Sequence, residues 1–176
     1  MNLFRDIPVG DKAPDIVNMV VEVGRGSRDK YEYRPEYEAF FLDRVLHSSV
    51  VFPVEYGFMP QTLDDDKDPL DMMVLSYEHL QVGCVLRVRP IGVLIMEDEA
   101  GDDAKILSVP IADPRYNEFN DLNDVPSHLL LEIQEFFETY KRLEPKKWVK
   151  IKCWKNCEEA KKVIKYTMNL YTKSIK

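Results

Sequence analysis

The spacing of apolar residues changes along this 176-residue chain, and that change constrains the fold more than any other feature of the sequence. Between Asp15 and Pro110, segments such as IVNMVVEV (16–23) and the alternating KYEYR (30–34) are typical of strands. In DVPSHLLLEIQEFFETYKRL (124–143), apolar residues recur at helical spacing. Strands followed by helices indicate an α+β protein, built as a small barrel or a strongly curved sheet with helices packed outside.

Other apolar runs complete this predicted order of elements. Four further strands are predicted, namely EAFFLDRVL (38–46), VLRVRPIGVLIM (85–96), KILSVPI (105–111) and WVKIKCW (148–154). Residues 1–15 are rich in turn formers and are expected to lie across the surface. Because the chain has no recognisable repeat or linker and an ordinary length for one core, a single domain over residues 1–176 is predicted.

The two predicted helices have recognisable start signals. Asp124 and Pro126 mark the beginning of the first helix. Its apolar face comprises Leu129, Leu130, Ile133, Phe136, Phe137, Tyr140 and Leu143. The segment NCEEAKKVIKYTMNLYTK (156–173) predicts a second amphipathic helix, with Asn156 as its N-cap.

Composition argues against several classes of protein. The net charge of −7, from 24 basic and 31 acidic residues, disfavours binding to nucleic acid or to anionic membranes. The three cysteines, an odd number, indicate reduced thiols and a cytoplasmic protein. Cys153 and Cys157 lack nearby zinc ligands and are interpreted as packing residues. We recognise no signal peptide and no apolar run of the roughly 18 residues that a membrane helix needs.

The stretch TLDDDKDPLDMM (62–73) contains five aspartates, whose like charges repel one another. A solvated acidic turn is the simplest interpretation, and it fits Asp64 and Asp65. Asp71 is different, because it borders an apolar run that should enter the core, and burial of an unpaired charge is costly. A bound divalent cation would compensate that charge, since carboxylate oxygens select magnesium, manganese or calcium.

A second acidic group and several basic residues extend this pattern. MEDEAGDDAK (96–105) is, on its own, typical of a hairpin turn, and its Asp98 and Asp103 bear on function only if they face the first group. Each basic residue nearby can be a surface ion-pair partner. Basic residues that lie close to acidic or aromatic ones are Lys30, Arg44, Lys105 and Lys141. Carboxylates for metal ions and cations for an anion together favour phosphoryl chemistry.

At this point the residues match a known family. DKDPLDM (66–72) has the order Asp, any residue, Asp, Pro, apolar, Asp, apolar, and the chain resembles the soluble inorganic pyrophosphatases of family I. The resemblance runs from about Asp15 to Lys165. Blocks that carry it are FPVEYGFMPQTL, RPIGVLIMEDEAGDDAKILSVP, EFFETYKRLE and KWVKIKCWKNCEEAKKVI. It implies a small closed five-stranded, OB-like β-barrel with additional strands and two C-terminal helices packed outside.

The resemblance also implies an activity and an assembly. We expect an inorganic diphosphatase that hydrolyses inorganic pyrophosphate to two orthophosphates, by direct attack of a metal-bridged water and without a covalent intermediate. Several Mg²⁺ ions per active site are expected, with Mn²⁺ or Zn²⁺ as possible substitutes. A homo-oligomer, with a hexamer favoured, is expected in the cytoplasm, and no nucleic acid or membrane partner.

Individual roles carry over from the family residue by residue. The implied metal ligands are Glu22, Asp66, Asp71, Asp98 and Asp103, with Asp71 shared between two ions. Asp68 matches the general base. The implied substrate-binding residues are Lys30, Arg44, Tyr56, Lys105, Tyr140 and Lys141, and Glu32 lines the same cavity.

Two positions depart from the family pattern: Phe52 replaces a usual tyrosine, and Glu55 replaces asparagine or aspartate.

Other functions predict other features. EF-hand calcium binding is set aside, because positions six and twelve counted from Asp64 hold Pro69 and Leu75 in place of glycine and glutamate. A metal-dependent phosphohydrolase acting on nucleotides or polyphosphate is an alternative, although no GxxxxGK[ST] motif supports nucleotide binding. A barrel that binds single-stranded nucleic acid is another, and the acidic charge argues against it. No Ser-His or Cys-His pairing is evident; the histidines His47, His79 and His128 are interpreted as structural.

Overall fold

Most strands precede the helices along the chain, as the sequence predicted. The computed structural model describes residues 1–175. Its strands are β1 (Val17–Val23), β2 (Asp29–Arg34), β3 (Ala39–Val45), β4 (Glu55–Phe58), β5 (Asp71–Val74), β6 (Val85–Asp98), β7 (Gly101–Pro110) and β8 (Val149–Asn156). The helices are α1 (Ser127–Thr139) and α2 (Cys157–Ser174). The α+β class is therefore confirmed.

Five strands form a closed ring. The order is β1-β4-β5-β7-β6, and the ring closes because β1 pairs with β6 as well as with β4. Strands β5 and β7 run parallel, whereas the other pairs of the ring are antiparallel. Strand β8 pairs with β6 outside the ring. Strands β2 and β3 form a separate two-stranded sheet. The predicted five-stranded barrel with additional strands and two C-terminal helices is thus confirmed.

The long strand β6 makes the closure possible. Its first residues, Val85–Val88, pair with β1, and Gly92–Asp98 pair with β8. Strand β7 pairs with β6 from Val88 to Asp98. The register with β7 shifts between Pro90 and Gly92. Proline has no backbone N–H for a ladder, and a bulge bends a strand. The bend lets one strand belong to the ring and to its extension.

A second irregularity, a bulge in β1, changes the direction of the Glu22 side chain. Val21 pairs with Gly57 and Val23 pairs with Tyr56, which leaves Glu22 as the extra residue of a bulge. Bulges of this kind turn a side chain out of the strand's alternation. The Glu22 carboxylate consequently lies inside the molecule, where its Oε1 accepts a hydrogen bond of 2.7 Å from the Tyr33 amide.

Strands β2 and β3 form a hairpin that is separate from the ring. Lys30 and Arg44 are cross-strand partners in it. The Tyr33 ring stacks on Phe58 of β4 with ring centroids 5.8 Å apart, which attaches the hairpin to the ring. The hairpin thus lies against the barrel by side chains rather than by a backbone ladder.

The first helix is shorter than predicted. It begins at Ser127 and ends at Thr139, whereas the prediction covered 124–143. Asp124 lies in a preceding 3-10 turn, where its carboxylate accepts from the Asn120 and Asp121 amides. After Tyr140 the chain makes turns toward Pro145, which disfavours helix before it. Leu143, predicted on the apolar face, is 64% exposed for that reason.

The second helix agrees with its predicted start. Asn156 is its N-cap, and Oδ1 accepts from the Glu159 amide at 3.2 Å. Ala160, Ile164 and Thr167 are buried against the ring.

Cys153 on β8 is exposed, so the interpretation of this cysteine as a packing residue is wrong. Among the residues that the structure describes, no helix has the length and apolarity required to span a membrane.

Candidate active site

One cavity, of about 320 Å³, lies between the acidic segment that joins β4 to β5 and the β2–β3 hairpin. We call residues 64–68 the acidic loop. Predicted site residues that line the cavity are Glu22, Lys30, Glu32, Tyr56, Asp66, Asp68, Asp71 and Asp103. These residues come from distant parts of the chain, so the fold gathers the two acidic groups of the sequence at one place. Of the remaining predicted residues, Lys105 contacts the lining through Tyr56, Asp71 and Asp103. Arg44, Asp98, Tyr140 and Lys141 do not line the cavity.

Lys105 is a buried cation behind the cavity, with only 2% of its surface exposed. Its Nζ donates to Asp71 Oδ2 at 2.5 Å, to Asp103 Oδ1 at 3.2 Å and to the Tyr56 hydroxyl at 3.3 Å. The parallel register of β5 and β7 places Asp71 beside Lys105. Burial opposes the charged amine, but Asp103 and Asp71 outweigh it and raise the pKa of Lys105 well above its usual value. Lys105 therefore holds two carboxylates in place as a permanent cation.

The substitution Lys105→Met should lower the free energy of unfolding by about 3 kcal/mol in metal-free buffer, because it leaves two partly buried carboxylates without their counterion. This is the low end for a broken buried pair, since the Asp71 side chain keeps 30% exposure. Urea denaturation measures the loss. The control is Lys152→Met, which removes exposed ion pairs to Asp102 and Glu97 and should cost less than about 1 kcal/mol. Equal losses in the two variants would contradict this role of Lys105.

A second cluster of charges lies where α1 ends. Lys141 Nζ donates to Asp98 Oδ2 at 2.6 Å and lies 3.5 Å from Glu99 Oε1, which also contacts Lys147 at 2.7 Å. Burial favours the neutral acid at Glu99, but Lys147 and Lys141 lower its pKa to about 2. Tyr140 is buried beside this cluster, and burial raises its pKa. Asp98 is thus paired with an ammonium group beside the cavity and does not line it.

The hairpin brings two cations together. Lys30 and Arg44 are cross-strand neighbours. Arg44 Nε donates to Glu144 Oε1 at 2.9 Å and its Nη1 contacts Asp43, while Lys30 is paired with Glu32 and lies 3.8 Å from Asp43. Each cation therefore has carboxylate partners that an anionic ligand could replace.

The acidic loop is held by hydrogen bonds among its own residues. The Asp64 amide donates to the Asp68 carbonyl at 2.8 Å, and the Asp68 amide donates to Asp66 Oδ1 at 2.9 Å. Lys67 has a positive φ of 73°, which gives the loop its tight turn. The buried Thr62 hydroxyl closes the base of the loop by bonding to the chain on both sides. The loop consequently presents several carboxylates toward the hairpin.

These carboxylates form a donor set that suits a hard divalent cation. Burial raises the pKa of Glu22 to about 8. Burial and the neighbouring charges of Asp66 and Asp71 raise the pKa of Asp68, and burial raises that of Asp103. Divalent cations bound among these carboxylates would offset the repulsion between their negative charges, and oxygen ligands suit Mg²⁺. Within residues 1–175, no three acidic, histidine or cysteine side chains are already arranged as a metal site. The ligand assignments therefore stay predictions.

Sequence reasoning missed several residues of this site. Asp64 was interpreted as part of a solvated turn, but it lines the cavity, and burial raises its pKa to about 6. Asp43 and Glu144 are partners of Arg44 that carried no prediction; an aspartate inside the apolar segment 38–46 was the available signal. Aromatic residues also line the cavity, and these are Phe4, Tyr33 and Phe58. The three histidines are exposed and do not line the cavity.

The two departures from the family pattern have structural explanations. Phe52 is 1% exposed and lies 5.4 Å from Tyr56 and 4.7 Å from Phe136 between ring centroids, so an apolar ring fills this position in the core. Glu55 is completely buried, and its carboxylate accepts from the Arg25 amide at 2.9 Å and from the backbone beyond β5. Neither residue lines the cavity.

Comparisons with known proteins agree with this picture. A sequence profile described as inorganic pyrophosphatase matches residues 19–172. The inorganic pyrophosphatase of Haloferax volcanii is 45% identical over 171 residues, covering 97% of each chain. The crystal structure of inorganic pyrophosphatase from Thermus thermophilus has a TM-score of 0.95 at 48% identity, covering 98% of this chain and 99% of that one. The inorganic pyrophosphatase structure from Helicobacter pylori has a TM-score of 0.91 at 43% identity, covering 95% and 99%.

Proposed function

This chain belongs to the inorganic pyrophosphatase family, whose members are hydrolases, and from that premise we propose that it hydrolyses inorganic pyrophosphate to two orthophosphates with Mg²⁺ as cofactor. One observation carries the proposal: a single cavity is lined by the carboxylates of the acidic loop on one side and by Lys30 of the hairpin on the other. A fold alone does not specify a reaction. A cavity that combines carboxylates with cations suits a phosphate anion accompanied by metal ions.

The residues proposed to hold Mg²⁺ are Asp66, Asp71 and Asp103, with Glu22 and Asp98 as further ligands. When bound, the ions would neutralise phosphate oxygens and lower the pKa of the attacking water. Asp71 is assigned to two ions, and Lys105 holds its carboxylate at the cavity wall. Mn²⁺ and Zn²⁺ are proposed as substitutes for Mg²⁺.

The residues proposed to bind pyrophosphate supply charge and hydrogen bonds. Lys30, Arg44 and Lys141 would exchange their carboxylate partners for phosphate oxygens, and Lys105 adds positive charge behind the site. Burial raises the pKa of Tyr56 well above its ordinary value, so its hydroxyl stays protonated and donates without adding charge. Tyr140 is proposed to act in the same way. Such fixed donors stabilise the charge that develops on the leaving phosphate.

Asp68 is proposed to accept the proton of the attacking water. It lines the same cavity as Lys30 and Glu32. Burial, together with the charges of Asp66 and Asp71, raises its pKa. A base with a raised pKa accepts a proton more readily. Direct attack by water requires no covalent intermediate on the protein.

A phosphate-release assay tests the proposed reaction. The purified protein should release phosphate from pyrophosphate in the presence of Mg²⁺, and removal of the metal by a chelator should abolish release. Nucleoside triphosphates, offered at the same concentration, should be hydrolysed far more slowly. Faster release from a nucleoside triphosphate than from pyrophosphate would overturn the proposed substrate in favour of a nucleotide phosphohydrolase.

Removal of the Asp71 carboxylate should weaken Mg²⁺ binding more than removal of any other proposed ligand. Loss of a group that only supports a ligand typically costs 10–100-fold in metal affinity, so we expect at least about tenfold from Asp71→Ala. Titration of activity against Mg²⁺, with calorimetry as an independent measure, checks this. Asp98→Ala is the comparison, because Asp98 is paired with Lys141 beside the cavity. An unchanged Mg²⁺ dependence in Asp71→Ala would contradict its assignment to two ions.

We further propose that the chain forms one domain, works in the cytoplasm and assembles as a homohexamer. Apolar side chains on two outer surfaces support an assembly. They include Phe41 and Leu42 on the hairpin and Val51 and Leu131 near α1, all of them exposed in the single chain. Light scattering during size-exclusion chromatography gives the mass in solution; a monomeric mass would overturn the hexamer.

A further inference from the structure

Residues 1–6, which we call the N-terminal segment, are attached to the hairpin by a buried side chain. Asn2 is only 1% exposed. Its Nδ2 donates to the Pro35 carbonyl at 2.7 Å, at the turn between β2 and β3. Its Oδ1 accepts from the Phe4 amide at 3.1 Å and the Arg5 amide at 3.0 Å. One asparagine therefore shapes the N-terminal segment and ties it to the far end of the hairpin.

Tyr33 forms a second link between the N-terminal segment and the hairpin. Its hydroxyl accepts from the Leu3 amide at 2.9 Å. Its ring stacks on Phe58 of the barrel, and its own amide donates to the Glu22 carboxylate at 2.7 Å. Tyr33 is 8% exposed and lines the cavity. The N-terminal segment is thus connected, through one residue, to a proposed metal ligand.

The N-terminal segment is also fixed to the barrel on its other side. The Gln61 amide donates to the Phe4 carbonyl at 3.0 Å, and its side chain donates to the Arg5 carbonyl at 2.8 Å. Gln61 lies just before the acidic loop. The Phe4 ring lines the cavity and packs edge-on against Tyr171 of α2, with centroids 5.3 Å apart. The segment therefore bridges the two structures that face each other across the cavity.

We propose that Asn2 and Tyr33 are positioning residues for pyrophosphate: through them, the N-terminal segment holds the hairpin so that Lys30 faces the acidic loop. The inference rests on the proposed function. A two-stranded hairpin is marginally stable by itself, and this one has no backbone ladder with the barrel sheet. Small displacements of binding groups reduce binding and rate strongly. Contacts at the hairpin's far end consequently help to fix where its cations lie, together with the pair between Arg44 and Glu144 at the other end.

Loss of these contacts should act on substrate binding rather than on the chemical step. For Asn2→Ala we expect the KM for pyrophosphate to rise about fivefold, with kcat within about twofold, because the cations are displaced while Asp68 is untouched. Tyr33→Phe removes only the hydroxyl and should raise KM about twofold to threefold. Asn2→Asp keeps an oxygen acceptor for the Phe4 and Arg5 amides but loses the donor to the Pro35 carbonyl, so it should not restore KM. Steady-state kinetics well below the melting temperature measures these values.

The matched control is Asn18→Ala. Asn18 Nδ2 donates to the Pro8 carbonyl at 2.8 Å, which is the same kind of bond, close to the N-terminus but away from the hairpin. This variant should keep the KM of the unsubstituted protein. An equal rise of KM in Asn18→Ala and Asn2→Ala would overturn the inference, because it would indicate general destabilisation.

Hydrogen exchange of the metal-free protein provides a readout that does not depend on activity. Amides of β2 and β3 should exchange faster in Asn2→Ala than in Asn18→Ala, while those of β6 and β7 should not change. Unchanged exchange in the hairpin would overturn the inference. If the unsubstituted protein releases no phosphate, the proposed function fails; if it does so and Asn2→Ala keeps its KM, only the positioning role fails.

Discussion

Replacement of Asp68 by asparagine is expected to reduce pyrophosphate hydrolysis by about 10²–10⁴-fold and to leave the fold intact, the range typical for removal of a general base. Asparagine keeps the size of the side chain but cannot accept the proton of the attacking water. Asp68 lines the cavity and does not belong to the hydrophobic core, so its substitution leaves no hole in the core. Phosphate release at saturating pyrophosphate and Mg²⁺ gives the rate, and circular dichroism checks the fold.

Asp65→Asn is the matched control for this experiment. Asp65 lies in the same acidic loop, but it does not line the cavity, and its carboxylate accepts from the Tyr166 hydroxyl at 2.7 Å. Its substitution should change the rate by less than about threefold, since a surface hydrogen bond is worth only about 1 kcal/mol. Near-normal turnover in Asp68→Asn, or equal losses in both variants, would refute Asp68 as the base.

Gly57→Ala is expected to destabilise the protein by more than about 4 kcal/mol, a loss that only a few mechanisms produce. A Cβ on Gly57 would lie 1.9 Å from the Val20 carbonyl oxygen and 3.0 Å from the Glu22 amide nitrogen. Both are backbone atoms of β1, so no side-chain rotation can relieve the overlap. Relief requires β1 to separate from β4 at the bulge that aims Glu22 into the cavity. Urea or thermal denaturation measures the loss.

Gly24→Ala provides the comparison for Gly57→Ala. A Cβ there would meet its nearest atoms at 3.5 Å from Glu55 and 3.6 Å from Leu80, which is ordinary van der Waals contact. We therefore expect a change of less than about 1 kcal/mol. Similar stability of the two variants would show that β1 and β4 can separate at low cost. That result would contradict the close backbone contact between these paired strands at Gly57.

The sequence predicted strongly periodic elements well, because their pattern is local. The strand IVNMVVEV and the amphipathic second helix with Asn156 at its N-cap appear in the structure as expected. The predicted end of the first helix was wrong. Apolar residues at helical spacing continue past Thr139, but the chain leaves the helix there and makes turns before Pro145. The bulge at Glu22 was also missed, because a bulge depends on the partner strand and leaves no periodic signal.

The candidate site was predictable from its family motif, DKDPLDM, rather than from the pattern of charged and apolar residues alone. The residues alone suggested that Asp71 needs a compensating charge, and the structure supplies Lys105 at 2.5 Å, a pairing that arises from strands β5 and β7 lying side by side. Contacts such as Arg44 with Glu144 join residues far apart in the chain, and only the fold brings them together. The bridge made by Asn2 was not predictable either, because turn-rich ends are usually expected on the surface.

Anomalous scattering from a crystal grown with Mn²⁺ and a non-hydrolysable pyrophosphate analogue tests the central claim most directly, namely that the carboxylate cluster holds divalent cations against the substrate. The account predicts peaks within about 2.0–2.6 Å of carboxylate oxygens of Asp66, Asp71 and Asp103, with the analogue between these ions and Lys30. An analogue bound in the cavity with no anomalous peak among these three aspartates would contradict it.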